Sequence, residues 1–247
     1  MVTFLLKKSY QLSNLKEVPF QDLWGSRGVF TTMRMIGKPP RLILLKSHID
    51  NLIKSTKKYG IRKKNLKKII EDLINKYNIY KGPDNLFRIA LNKKLISISI
   101  RKRPKLKKKF KLLLFKYKRI EPRHKNLYYK KIIAQLNKVD SSKYDIALVS
   151  NKKILETGTS NLVFIKNDKI YSPKNNCYFG NTIKFISKKI KIKSKDILIS
   201  ELNDYDEIIL IGSGKGVTSV SKIDELSWKR RKTNYYDKLN KIYSSLS

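Results

Sequence analysis

Between Asn85 and Arg101 the chain reads N-L-F-R-I-A-L-N-K-K-L-I-S-I-S-I-R, two stretches of alternating apolar residues on either side of a polar centre. A period of two puts alternate side chains on one face of a strand, and a short polar interruption between two such strands is a tight β-hairpin. The residues before it divide as clearly. Val29 to Ile36 is largely β-branched and apolar, and Gly37-Lys38-Pro39-Pro40 breaks it. Leu45, Ile49, Leu52 and Ile53 then recur at helical spacing, which predicts a helix over Ser47 to Tyr59. A second helix over Lys63 to Tyr77, the hairpin, and a strand from Phe110 to Tyr117 complete an α+β unit of residues 1–117.

A basic linker, Lys118 to Arg123, leads into a second α/β unit, residues 118–247. Its strands are expected near Asp145, Leu162, Ile170, Ile197, Ile208 and Val217, separated by helices. The tail from Asn234 to Leu246 carries Tyr235, Leu239, Ile242 and Tyr243 at helical spacing, so it packs back on the body. A chain of 247 residues allows one large or two modest domains and a sizeable core. No stretch approaches the roughly 18 apolar residues of a membrane helix. Phe4-Leu5-Leu6 is cut by Lys7-Lys8 before it could serve as a signal-peptide core, and a cytoplasmic protein is expected. Cys177 is the only cysteine and His48 and His124 the only histidines, which excludes an intrachain disulfide and points away from a metal site.

Three segments of the second unit suit chemistry. Residues 125–161 read KNLYYKKIIAQLNKVDSSKYDIALVSNKKILETGTSN, a lysine followed by a helix, a pair of strands and Glu156. Gly180-Asn181-Thr182 precedes the spacing Ile183, Ile186, Ile190 and reads as a helix start, where free N–H groups suit a phosphate; an ordinary N-cap has the same appearance. Glu207 to Ile211 is a buried-strand pattern, followed by Gly212-Ser213-Gly214-Lys215-Gly216, whose successive amides can form an anion-binding nest or simply a tight turn. The pattern G-x-x-x-x-G-K-[ST] is absent, and the G-x-G opens a strand rather than a helix, so neither a P-loop nor a dinucleotide fingerprint is present.

Taken in order, with G-S-R-G-V-F-T-T-M-R-M and L-L-K-S-H-I-D-N-L-I-K upstream, these motifs resemble the class IV aminotransferases. That family comprises the pyridoxal-phosphate enzymes of fold type IV, and the resemblance runs from about Gly25 to Ile223. It implies a small N-terminal α/β domain, a larger C-terminal pseudo-barrel α/β domain, a homodimer, and pyridoxal 5'-phosphate as cofactor. Lys125 would then be the Schiff-base lysine and Glu156 the carboxylate that keeps the pyridine nitrogen protonated. Asn181, Thr182, Ser213 and Gly214 would hold the phosphate, Asn161 would shape the pocket near Glu156, and Tyr129 would sit about where transaminases place a tyrosine against the cofactor's phenolic oxygen. The F-T-T-x-R wording is closer to aminodeoxychorismate lyases, which release pyruvate and form 4-aminobenzoate for folate synthesis. Transamination of a branched-chain or D-amino acid is the alternative, and a non-catalytic basic protein on the same scaffold is the distant one.

Three departures from the family stand out. Its H-x-x-R-L helix supplies an arginine to the phosphate, whereas here His48 is followed by Ile49, Asp50 and Asn51; Lys54, one turn on, offers only a point charge. The hairpin replaces a longer, arginine-bearing loop on the substrate side. Tyr128 stands where the lyases often have asparagine.

The formal charge of +38, from 57 Lys and Arg against 19 Asp and Glu, is that of a nucleic-acid binder. Yet the lysines are spread through every segment, and no helix-turn-helix, zinc finger or RNP aromatic pattern appears. A chain rich in Lys, Asn, Ile and Tyr is also what an adenine- and thymine-rich genome encodes. The expectation is a small-molecule amino substrate, no specific nucleic acid, and non-specific adhesion to polyanions at low salt.

Overall fold

A computed structural model describes residues 3–78 and 84–246. They form two units, one drawn from Met1–Arg103 with His124–Lys130, the other from Pro104–Arg123 with Lys131–Ser247. The cut expected after Tyr117 falls instead after Arg103, and the segment carrying Lys125 clusters with the first unit.

The first unit is built on an antiparallel sheet of β1 (Phe4–Gln11), β2 (Glu17–Val18), β3 (Gly28–Ile36), β4 (Arg41–Leu42), β5 (Asp84–Asn92) and β6 (Leu95–Lys102). Their spatial order is β2-β1-β6-β5-β3-β4. The expected hairpin is β5 and β6, joined through Lys93-Lys94. Its turn needs no glycine because the Asn92 side-chain oxygen accepts the N–H groups of Lys94 and Leu95, both at 2.8 Å. The alternation decides which face is buried. Phe87, Ile89 and Leu91 pair with Ile100, Ile98 and Ile96, all at most 1% exposed. Each such side chain contributes roughly 1.5–3 kcal/mol of burial. Helices α1 (Leu45–Lys58) and α2 (Leu66–Tyr77) cover this face with Ile49, Leu52, Ile70 and Ile74. The start of α2 lies three residues later than the spacing predicts, because Asn65 adopts a left-handed conformation (φ 56°) that ends the preceding turn.

The second unit holds β7 (Phe110–Lys116), α3 (Lys130–Leu136, whose first residue clusters with the first unit), β8 (Tyr144–Ser150), β9 (Lys153–Thr157), β10 (Asn161–Lys166) and β11 (Lys169–Pro173). It continues with α4 (Asn181–Ser187), β12 (Ile192–Lys195), β13 (Ile197–Leu198), β14 (Glu207–Gly212), β15 (Gly216–Ile223), β16 (Trp228–Lys229) and α5 (Asn234–Ser244). The sheet order is β12-β11-β10-β14-β15-β7-β8-β9-β13, with β16 on β15. β7 pairs in parallel with both β8 and β15, which is why it belongs here and not with the residues before it.

The helices expected between successive strands are mostly hairpins. Asn151-Lys152 (φ 50° and 57°) and Asn167-Asp168 (φ 49° and 54°) each place two positive-φ residues between strands, the geometry that matches the twist of a hairpin. The spacing Ile183, Ile186, Ile190 extends a helix too far: α4 stops at Ser187, and Ile192 belongs to an edge strand parallel to β11. The tail is helical as its spacing predicts. Glu207, fully buried, accepts the N–H groups of Tyr235 and Tyr236 at 2.9 Å each and so caps the first turn of α5 from β14.

Candidate active site

In the second unit, Glu156 stands near the end of β9, paired opposite Leu148 of β8. Its carboxylate is enclosed, 5% exposed, against the Arg119 guanidinium, which is fully buried. Arg119 Nε donates to Glu156 Oε1 at 2.7 Å, and its Nη2 donates to the Pro122 carbonyl at 2.6 Å. The other oxygen, Oε2, accepts the backbone N–H of Tyr178 at 3.3 Å. Nearby groups feel this negative charge. The Cys177 thiol is pushed up to about 12, mainly by burial and further by Glu156, with Arg119 opposing. The Tyr178 hydroxyl is also raised by burial.

The turn after Glu156 is fixed from below by Asp145, itself fully buried. Thr157 Oγ1 and Thr159 Oγ1 donate to one Asp145 oxygen at 2.9 and 2.5 Å. Thr157 Oγ1 in turn accepts the Ser160 N–H at 2.8 Å. Asn161 follows at the start of β10. Its amide donates to the Tyr178 carbonyl at 2.5 Å and its oxygen accepts the Gly180 N–H at 3.0 Å. Glu156 and Asn161 therefore grip the same short segment, one residue from where α4 begins. Gly180 sits so close to Asn161 that a Cβ there would meet Asn161 Oδ1 at 3.0 Å.

Asn181 and Thr182 open α4, both buried. The Thr182 hydroxyl lies 3.3 Å from that of Ser213, in the turn between β14 and β15. Gly212 passes close to Ser160, where a Cβ would meet Ser160 Oγ at 2.7 Å and displace that hydroxyl. Lys215 is no free cation: 6% exposed, it donates to the Ser141 carbonyl at 3.0 Å and lies 4.6 Å from the Phe110 ring centroid.

In the first unit, the strap carrying Lys125 is bonded to β3 through the backbone. Phe30 N–H donates to the Lys125 carbonyl at 3.1 Å and Leu127 N–H to that of Gly28 at 2.9 Å, and Asn126 bridges Val29. The Lys125 amine lies 4.9 Å from the Phe30 ring centroid. Tyr129, 6% exposed, packs against Phe30 and Trp24 at 5.3 and 5.8 Å. His48, on α1, shares a hydrogen bond of 2.6 Å between its Nδ1 and Thr31 Oγ1. Its imidazole is lowered to about 3, chiefly by burial and further by the charge of Lys125. Lys54 is exposed.

The sequence-predicted residues thus fall into two sets. In the second unit, Glu156 and Asn161 both hold the Tyr178–Gly180 segment, and Asn181 and Thr182 open the helix that follows it, with Thr182 against Ser213 and Gly214 next in that turn; in the first, Lys125 and Tyr129 share the Phe30 ring. Sequence reasoning missed Arg119, which it placed in a solvated linker, and Asp145, which it took only as a strand position. Among 57 cationic side chains no sequence signal separates Arg119 from the rest.

The model of the family described as amino-transferase class IV matches residues 28–223. The chain belongs to that family. Solved class IV neighbours share the fold over nearly the whole length. A hypothetical aminotransferase from Mycobacterium tuberculosis, solved in apo and PLP-bound forms, superposes with a TM-score of 0.76 at 14% identity over 98% of both chains. A branched-chain aminotransferase from Thermoproteus uzoniensis, solved with norvaline, gives 0.76 at 16% identity, covering 99% of this chain and 94% of that one. A candidate 4-amino-4-deoxychorismate lyase from Legionella pneumophila gives 0.70 at 19% identity, covering 90% and 91%. No curated protein sequence matches. Among the described residues no helix is long and apolar enough to cross a membrane, and no cluster of His, Cys, Asp and Glu could hold a metal.

Proposed function

We propose that this class IV aminotransferase family member is a pyridoxal-5'-phosphate enzyme with the activity of an aminodeoxychorismate lyase. The observation that carries the reading is the Glu156 carboxylate, enclosed and paired with a fully buried arginine. A buried carboxylate with that partner is a fixed negative charge, which is what a protonated pyridine nitrogen needs opposite it. Its Oε2 accepts the Tyr178 N–H at 3.3 Å, which orients the carboxylate within the enclosure. The donor set fits the rest of the group. The Thr182 and Ser213 hydroxyls converge at 3.3 Å, suited to a phosphate, with the amides of the Ser213-Gly214 turn beside them. Asn51 supplies no charge where the family has arginine, so the phosphate is held by hydroxyls and amides and more weakly.

Bound pyridoxal phosphate supplies an electron sink for the carbon bearing the substrate's amine. The chain's own residues do the remainder. Lys125, anchored through its backbone, holds the cofactor and carries a proton to and from that carbon as base and acid. Glu156 would face the ring nitrogen, its carboxylate oriented by Arg119 and the Tyr178 amide. Asn161 keeps Tyr178 and Gly180 in place, so the pocket wall and the phosphate end move as one. Tyr129 meets, edge to face, the Phe30 ring over which the Lys125 amine lies. The lyase reading over transamination follows the F-T-T-x-R wording of β3, and homodimer formation is part of the proposal.

Adding pyridoxal phosphate to the purified protein should produce a visible absorption band that Lys125→Ala abolishes and Lys54→Ala retains. Thr182→Val with Ser213→Ala should weaken cofactor binding by about tenfold or more. A colourless wild type overturns the proposal and leaves a non-catalytic scaffold. Pyruvate released from aminodeoxychorismate without a keto acid marks the lyase; turnover that requires a keto acid marks the transaminase, the activity of the Thermoproteus uzoniensis neighbour.

A further inference from the structure

Helix α1 ends in a way that opens a hollow beside it. The Gly60 N–H donates to the Lys57 carbonyl at 3.2 Å and the Ile61 N–H to that of Thr56 at 3.0 Å, with Gly60 in the left-handed region (φ 64°). This pairing is a Schellman cap, which satisfies the last carbonyls of the helix and turns the chain back. Asn65, also left-handed, then leads into α2. The last turn of α1, the connection and the first residue of α2 line an open cavity of about 420 Å³. Small-molecule pockets run from about 300 to 1,000 Å³.

The lining is divided by chemistry. Ile53, Ile61 and Leu66 present hydrocarbon, and the Thr56 hydroxyl is already engaged, donating to the Ile53 carbonyl at 2.8 Å. The other lining side chains are all cations. Lys63 reaches the Ser13 carbonyl, whereas Lys57, Arg62 and Lys64 are exposed and make no ion pair among the described residues. From Ile53 to Lys68 the chain carries eight Lys or Arg and no Asp or Glu. Asp50, one turn before Ile53 on α1, pairs with Lys67. Charge alone singles out no place in a chain with lysine in every segment; cations gathered around an apolar floor do. Wetting the floor is unfavourable and the cations repel one another, so an occupant that covers the first and neutralises the second gains on both counts. Eight lining residues from a single stretch are too few for a protein partner, which would take about 20–30 a side. A bare inorganic anion would leave the floor uncovered.

We propose that this hollow binds a small amphiphilic carboxylate, its hydrocarbon chain lying on Ile53, Ile61 and Leu66 and its carboxylate held by Lys57, Arg62 and Lys64. The ligand class is a medium-chain fatty acid, free in solution. The site lies wholly within the first unit and does not depend on the Lys125 reading.

Calorimetric titration of the whole chain with butyrate, hexanoate and octanoate at fixed ionic strength tests both halves. Each added methylene that enters the hollow should tighten binding by roughly fourfold. Octanol and octylamine should bind at least about tenfold more weakly than octanoate. Lys57→Gln, Arg62→Gln and Lys64→Gln together should weaken octanoate binding by about tenfold or more without lowering the melting temperature. Removing three exposed charges from the second unit, by Lys107→Gln, Lys108→Gln and Lys109→Gln, should leave octanoate binding unchanged. Affinity that is indifferent to chain length marks a charge effect only and overturns the proposal. So does equal weakening by the two triple variants, or a response to a short peptide of alternating glutamate and leucine with none to octanoate, which would give the hollow to a protein partner. Chain-length-dependent octanoate binding in a protein that forms no absorption band with pyridoxal phosphate leaves the site standing and removes only the cofactor reading.

Discussion

Replacing Arg119 by methionine removes the partner of a carboxylate that water barely reaches. Arg119 is fully buried and Glu156 is 5% exposed, so neither group is screened as a surface pair would be. Breaking a buried ion pair from one side typically costs about 3–5 kcal/mol, because the remaining charge is left uncompensated. Part of that cost can be avoided if Glu156 takes up a proton, and a protonated Glu156 is no longer the fixed negative charge that the ring nitrogen requires. In a chain of this size 1 kcal/mol corresponds to about 2–4 °C, so the melting temperature should fall by roughly 6–20 °C. The companion substitution separates the two halves of the argument. Glu156→Gln in the Arg119→Met background removes the stranded charge, so the double variant should be more stable than Arg119→Met alone while its affinity for the cofactor stays low. Thermal melts in the four corners of this cycle, with cofactor absorbance alongside, measure the coupling. A loss below about 1 kcal/mol for Arg119→Met, or a double variant no more stable than the single, would refute the claim that the pair is a buried, charge-compensated unit.

Acidification tests His48. Its folded imidazole titrates at about 3 against 6.5 for an unhindered one, so the unfolded chain binds the extra proton between these values. Stability from this group is complete above about pH 6.5 and falls by about 1.4 kcal/mol per pH unit toward pH 3; chemical denaturation of wild type against His48→Gln across this window should show the wild type losing more, and parallel curves would contradict it. Removing the acid that caps α5 is a local test: Glu207→Ala strips two N–H groups of a buried, charged acceptor and should cost about 2–3 kcal/mol, with faster hydrogen exchange at Tyr235, Tyr236 and Leu239. Unchanged protection at those amides would show that the helix is held by packing alone.

Some elements were legible because one periodicity decides them. The β5–β6 hairpin and the apolar stripe of α1 follow from the spacing of their apolar residues, and β3 from its run of β-branched and apolar ones. The strands after Ser150 were harder. Asn151-Lys152 and Asn167-Asp168 carry no glycine, so only their Asn and Asp mark two-residue turns, and the tightness of these reversals was not legible. Ile190 and Ile192 fit a helix or an edge strand equally until β11 supplies a partner. Among the candidate site residues, motif order pointed to Thr182, Ser213, Asn161 and Glu156; Glu156 and Asn161 hold one segment and Thr182 lies against Ser213. Arg119 and Asp145 were not found, because a charged residue's burial depends on what folds over it, and a sequence with lysine in every segment gives no contrast.

The Lys125 strap is fastened to β3 by peptide groups, and Gly28 beneath it admits no substituent, since a Cβ would meet the Leu91 carbonyl at 2.2 Å and Leu127 Cδ1 at 2.7 Å. Main-chain fastenings are indifferent to which side chains the surrounding codons specify. A lineage whose nucleotide bias replaces residue after residue with lysine or isoleucine can thus repaint nearly the entire exterior while the α-carbon of one amine stays where it was. Gly28 is an exception, a letter near that amine which mutational pressure is not free to rewrite.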